Sequence, residues 1–163
     1  MKKVIERIFV GDKEDAPIAI NKGFAVASMC KESPYGHRDM VGYKTLGATP
    51  GPDYYFVKRG KQFAANLIDV EDVNFIPEEV INPALDFIRE HYDKGEKVLI
   101  RCERGHSRSP STCLLFLRSI GEMPYSFKTA EKIMKTLYRP YDPSNGIRTY
   151  ARTHWAELGN KNG

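Results

Sequence analysis

Val98-Leu99-Ile100-Arg101-Cys102-Glu103-Arg104-Gly105-His106-Ser107-Arg108-Ser109-Pro110 is the stretch that decides the fold. Its apolar opening, Val98 to Ile100, reads as a buried strand, and the strand ends at a cysteine. Ser109-Pro110 then opens an apolar segment carrying Cys113, Leu114, Leu115, Phe116, Leu117 and Ile120, closed by Gly121. Serine at an N-cap followed by proline at the first helical position marks a helix start. Cys102 to Arg108 is then a loop joining a strand end to a helix N-terminus.

Such a loop suits an anion. The first N–H groups of a helix have no intrahelical partner, and the helix dipole places partial positive charge there. Gly105 lets the backbone turn without a Cβ penalty, so successive N–H groups can face one centre. Arg108 adds a planar fork of donors matched to two phosphate oxygens. That field favours a thiolate at Cys102, which makes it a nucleophile. The parts describe a phosphate site with a nucleophile at its floor.

The pattern C-x-x-G-x-x-R-S, set between an apolar strand and a Pro-started helix, resembles the signature of the cysteine-based protein tyrosine phosphatases. Ser107-Arg108-Ser109-Pro110 is most similar to the dual-specificity branch. The resemblance implies an α/β fold, a mostly parallel central sheet of about four to five strands flanked by helices. It implies one catalytic domain over residues 1–163.

Composition agrees and narrows the compartment. A length of 163 residues, with 41% hydrophobic and 28% charged, allows one domain with a real core. The net charge of +4 suits an anionic substrate, yet no dense basic track points to nucleic acid. Cys30, Cys102 and Cys113 are too few for a disulfide framework or a zinc site, and His37, His91, His106 and His154 show no ligand spacing with them. Met1-Lys2-Lys3 leads straight into Val4-Ile5-Glu6-Arg7 without a signal-peptide core, and the apolar run Cys113 to Leu117 is too short to span a bilayer. A soluble protein of the cytoplasm, not bound to membranes, is expected.

Outside the loop, Val4-Ile5 with Ile8 to Val10 suggests a first strand, Glu14 to Asn21 a short helix, and Phe24 to Met29 a buried strand. Lys31 to Gly60 is rich in Pro and Gly and reads as loop with a hairpin, its Tyr35, Tyr43, Tyr54 and Tyr55 more suited to packing than to stacking on a substrate. Tyr54 to Val57 and Gln62 to Val70 read as two strands around Gly60-Lys61. Pro77 can start a helix with Val80, Ile81, Ala84, Leu85 and Ile88 on one face, and Pro83 predicts a kink or a fresh start at Asn82. Ser126 to Leu137 and a segment capped by Ser144 complete the helices.

The resemblance also implies roles. Cys102 attacks phosphorus, Arg108 clamps the equatorial oxygens, and Ser109 hydrogen-bonds the sulfur to ease its departure. Glu103, Arg104, Gly105, His106 and Ser107 form the rest of the substrate-binding loop. The general acid of the family lies some thirty residues before the cysteine at the end of an apolar-x-apolar-x-Asp strand. Ile68-x-Val70-x-Asp72 fits, with 102 − 72 = 30, so Asp72 is expected to be the acid and Asp69 the reserve. No metal or cofactor is implied. The partners implied are a phosphorylated protein and an oxyanion in the loop, with protein Tyr and Ser/Thr phosphomonoesters as substrates. RNA 5′-phosphates, phosphoinositides or binding without turnover are the alternatives. Cys113 should be core, and His106 either borders the pocket mouth or is a solvated loop histidine. Arg101 stands where the family usually has His, and a buried guanidinium there should meet a carboxylate or reach solvent.

Overall fold

Every residue of Val98–Arg101 is buried, because this strand lies in the middle of the sheet with helices on both faces. The structure, a computed structural model, describes residues 1–160. In chain order the strands are β1 (Lys2–Ile5), β2 (Ile8–Gly11), β3 (Ala25–Ser28), β4 (Phe56–Arg59), β5 (Gln62–Ala65) and β6 (Val98–Arg101). The helices are α1 (Asp15–Asn21), α2 (His37–Val41), α3 (Glu78–Asp93), α4 (Arg108–Ser119), α5 (Phe127–Leu137) and α6 (Asn145–Asn160).

Among the described residues six strands form one sheet in the order β1-β2-β6-β3-β5-β4. The inner pairings β2–β6, β6–β3 and β3–β5 are parallel, and an antiparallel hairpin closes each edge. The expected mostly parallel α/β sheet is present, with six strands in place of four to five. The extra strand arises at the N-terminus, where Arg7 takes a left-handed φ of 71° and folds Val4-Ile5 back on Ile8 to Val10.

Strand alternation divides the core. Val98 and Ile100 face the large cluster built by α3, α4 and α6, whereas Leu99 joins Val26, Ala19 and Phe24 beneath α1. Helix α4 is buried on all sides from Arg108 to Leu117, and Cys113 is fully buried within it, as expected. Each face contributes apolar area worth roughly 25 cal/mol per Å² removed from water. That burial holds the loop ends of β6 and α4 at one place.

Three local expectations are corrected. Residues 67–72 do not continue a strand: the pairing with β4 ends at Ala65, Asn66 adds one more bond from its N–H to the Tyr55 carbonyl and one from its side chain to the Tyr54 carbonyl, and the chain beyond it is irregular. Helix α3 continues through Pro83 with no fresh start at Asn82, since Val80, Ile81, Ala84, Leu85, Phe87 and Ile88 share one buried face whose packing outweighs the lost backbone bond. Helix α4 begins at Arg108 with Ser107 as N-cap, so Ser109 and Pro110 lie inside its first turn. Helix α2, following Gly36 in the irregular stretch, was not expected from the sequence. Among the described residues no helix is long and apolar enough to cross a membrane.

Candidate active site

The site lies beyond the carboxyl ends of the parallel strands, where ligands of open α/β sheets collect. Cys102 follows β6 directly and is 2% exposed. Its Sγ accepts the Gly105 N–H at 3.3 Å and lies 3.1 Å from Ser109 Oγ, the neighbour expected of it. Ser109 Oγ also reaches the Gly11 carbonyl, at 3.2 Å.

Gly105 is the residue that only glycine fits. Its φ is 76°, and a Cβ there would meet the Gly11 carbonyl oxygen and Tyr138 Oη, each at 3.0 Å. The loop carbonyls are bonded outward: Glu103 accepts from Lys13 N at 3.1 Å, Gly105 from Tyr138 Oη at 2.8 Å, and His106 from Asp142 N at 2.7 Å. Burial, together with the neighbouring Cys102, pushes the Tyr138 hydroxyl up to about 12, so it remains a donor. With its carbonyls engaged outside, the loop presents N–H groups and the start of α4 to its centre.

Arg108 is 5% exposed. Its Nη1 donates to Glu32 Oε2 at 3.0 Å and to the Leu67 carbonyl at 3.0 Å. Burial works against its charge, but the Glu32 carboxylate and the nearby thiols outweigh burial and hold its pKa above the ordinary arginine value. Both bonds use Nη1, which leaves Nε and Nη2 for two oxygens of a bound anion.

Arg101 departs from expectation. It is fully buried yet neither reaches solvent nor meets a carboxylate. Nε donates to Ser28 Oγ at 2.9 Å, Nη1 to the Cys102 carbonyl at 3.4 Å, and Nη2 to the carbonyls of Glu32, at 3.4 Å, and Pro34. Ser28 is available because it is the register partner of Arg101 across β3–β6. Aligned carbonyl dipoles here offset the desolvation that an ion pair would otherwise have to offset. The consequence is positional: Arg101 ties the segment after β3 to the phosphate loop, and that segment carries Glu32.

The structure places the two candidate acids differently. Asp69 lines the cleft, and its Oδ1 accepts Ser107 Oγ at 2.7 Å while Oδ2 accepts Ser144 Oγ at 2.9 Å. Asp72 lies outside the lining residues, exposed, as the N-cap of a 3-10 turn over Val73–Phe75, with Oδ1 accepting the Asn74 N–H at 2.9 Å. The cleft, about 520 Å³, is otherwise walled by Glu32, Ile68, Cys102, Glu103, Arg104, His106, Ser107, Arg108, Asp142 and Ser144. His106 and Arg104 are exposed and line its mouth.

Sequence reasoning missed Glu32, Tyr138 and Ser144. Nothing local marks Glu32, which sits in the irregular stretch. Ser144 was visible only as a helix cap. The other two cysteines are unreactive by burial, which pushes the Cys30 thiol up to about 12 and that of Cys113 higher still.

No family model matches the sequence, and no curated relative matches it. Solved structures do. Human DUSP28 is 14% identical over 96% of this chain and 93% of its own, with a TM-score of 0.66. The human tyrosine phosphatase-like serine/threonine/tyrosine-interacting protein is 15% identical over 96% of both chains, at 0.66. DUSP15 is 14% identical over 99% of this chain and 92% of its own, at 0.68. The six-stranded sheet, the strand–loop–helix around Cys102 and these likenesses together give this chain the fold of the dual-specificity phosphatases within the cysteine-based protein tyrosine phosphatase superfamily.

Proposed function

We propose that this chain, as one catalytic domain over residues 1–163, hydrolyses phosphomonoesters on protein tyrosine, and on serine and threonine, through a cysteinyl-phosphate intermediate. The observation that carries the reading is the joint placement of Cys102 Sγ, the Gly105 N–H, Ser109 Oγ and the Glu32-braced Arg108 around one cleft. Arg108 and the loop N–H groups hold the equatorial oxygens and stabilise the charge of the transition state. The sulfur of Cys102 attacks phosphorus, the S–P bond forms and the ester P–O bond breaks. Asp72 gives its proton to the leaving oxygen. In the second step Asp72, now a base, takes a proton from water; water attacks phosphorus, the S–P bond breaks, and Ser109 meets the departing sulfur.

Asp72 is preferred to Asp69 for the acid on its spacing, thirty residues before Cys102 at the end of Ile68-x-Val70-x-Asp72, and on the hydrogen bonds that already occupy Asp69, although it is Asp69 that lines the cleft. Both oxygens of Asp69 already accept hydroxyl hydrogens, which makes it a brace for Ser107 and Ser144. Asp72 has one oxygen engaged by its own turn and the other open to solvent. Free cysteines throughout support a reducing, cytoplasmic setting, where a thiol nucleophile stays competent.

The purified protein should hydrolyse an aryl phosphate in EDTA and be blocked by vanadate. Cys102→Ser should abolish turnover and retain inorganic phosphate binding. Undiminished turnover by that variant would overturn the mechanism. Binding of phosphopeptides by the wild type without any turnover would reassign the chain to recognition. Phosphotyrosine and phosphothreonine peptides should outrun a phosphoinositide and a 5′-triphosphorylated RNA in kcat/KM, and the reverse order would move the substrate class.

A further inference from the structure

We propose that a second, apolar cleft beside the phosphate site receives a hydrophobic side chain that flanks the phosphorylated residue of the same polypeptide substrate. The proposal rests on the phosphoprotein reading of the Cys102 cleft. The second cleft measures about 310 Å³, and its walls include Lys31, Tyr54, Tyr55, Ile68, Asn74 and Phe75. Ile68 is also a wall of the Cys102 cleft, so the two adjoin at that side chain. A chain whose phosphorylated residue fills the first and which runs past Ile68 lays a neighbour over the second.

The cleft gathers exposed apolar side chains in one place. Phe75 is 63% exposed, Ile68 42%, Tyr55 40% and Tyr54 37%, four large apolar side chains left in water around one depression. Contiguous exposed apolar surface of this kind marks a contact site, whereas scattered residues do not. The walls are also held in place. Asn66 fastens the 54–55 segment through its backbone N–H and its side chain, and the two tyrosine rings pack edge to face at 5.0 Å. Phe75 stands on the 3-10 turn that Asp72 caps. Walls fastened in this way lose less entropy on binding than a mobile patch would.

Size and charge restrict the occupant. A space of about 310 Å³ is at the small end of ligand sites and holds one large side chain more readily than a lipid tail or a protein helix. Lys31 on the rim disfavours Lys or Arg at the flanking position. The occupant is therefore Leu, Ile, Met or an aromatic residue of the peptide.

The test compares phosphotyrosine peptides with Leu, Phe, Gly or Lys on either side of the phosphorylated residue, alongside a small aryl phosphate. The wild type should favour the Phe or Leu peptide over the Gly peptide by roughly tenfold in kcat/KM, from burial of one apolar side chain. The double variant Tyr54→Ser, Phe75→Ser should bring that ratio to about one and leave aryl phosphate turnover unchanged. Absence of discrimination in the wild type, or its persistence in the variant, overturns the proposal. If the aryl phosphate itself is not turned over, the phosphatase reading has failed, and affinities of the same peptides for the wild type decide the cleft by the same ratios. Concentration-dependent self-association of the wild type that the double variant abolishes assigns the cleft to a second copy instead, and also overturns the proposal.

Discussion

Arg108 is held by Glu32 from a different part of the chain, Nη1 to Oε2 at 3.0 Å, with Arg108 buried and Glu32 one-third exposed. The contact lets the guanidinium keep its charge at the floor of the cleft and fixes which of its donors stay free. Arg108 is thus oriented before an anion arrives, which is where preorganised electrostatics gain their effect.

Glu32→Gln should therefore lower kcat/KM for an aryl phosphate by about 10- to 100-fold, the equivalent of about 1.5–3 kcal/mol for a charge-assisted bond. The loss should appear in kcat as well as KM, because Arg108 bears on the transition state. Steady-state kinetics on both parameters check it, and a change in KM alone would limit Glu32 to binding.

Arg101→Met should destabilise the fold by about 2–4 kcal/mol, since Ser28 Oγ and the Pro34 carbonyl lose their donor inside the protein. It should also depress activity, because the segment bearing Glu32 loses its tie to the loop. Arg101→Lys should fall between, as an ammonium cannot serve three directions with a planar fork. Urea denaturation read beside kcat separates the two effects.

For the acid, Asp72→Asn should lower kcat by about 10²–10⁴-fold, most for poor leaving groups, because the leaving oxygen loses its proton donor. Asp69→Asn should weaken the brace on Ser107 and Ser144 and leave the dependence on leaving group as in the wild type. Values of kcat across a series of aryl phosphates check it, and a loss confined to Asp69→Asn would exchange the two roles.

Glu131 joins α5 to α6 through Arg148, Nε to Oε2 at 2.9 Å and Nη2 to Oε1 at 2.8 Å, and also accepts Tyr141 Oη at 2.8 Å. Burial raises its pKa, but the bonds from Arg148 and Tyr141 more than reverse this and leave it below the ordinary 4.5. A depressed carboxylate adds stability that is fully present above its unfolded pKa and lost as pH falls through the folded one. Glu131→Gln should accordingly lower the melting temperature at neutral pH, by the equivalent of about 1 kcal/mol. The difference from wild type should close as the pH falls through the folded-state ionisation of Glu131. A gap that persists there would show the effect to be steric.

The strand, the Gly105 turn and the start of α4 were legible in consecutive residues, because a phosphate loop is built from local backbone conformation and one helix terminus. The same locality made Cys102, Arg108 and Ser109 readable as a set, and the unbroken apolar run Val98 to Ile100 announced a buried strand, as its contacts on both faces of the sheet show. Other features depend on which segments the sheet order brings together. Glu32 reaches Arg108 because β3 lies beside β6, and Arg101 finds Ser28 through the same pairing, 73 residues away in sequence. A buried guanidinium satisfied by carbonyls leaves no charge pattern to read. Asp69 and Asp72 have the same chemistry three positions apart. Only packing against Ser107 and Ser144, distant in sequence, set Asp69 in the cleft and left Asp72 to cap a turn outside its lining.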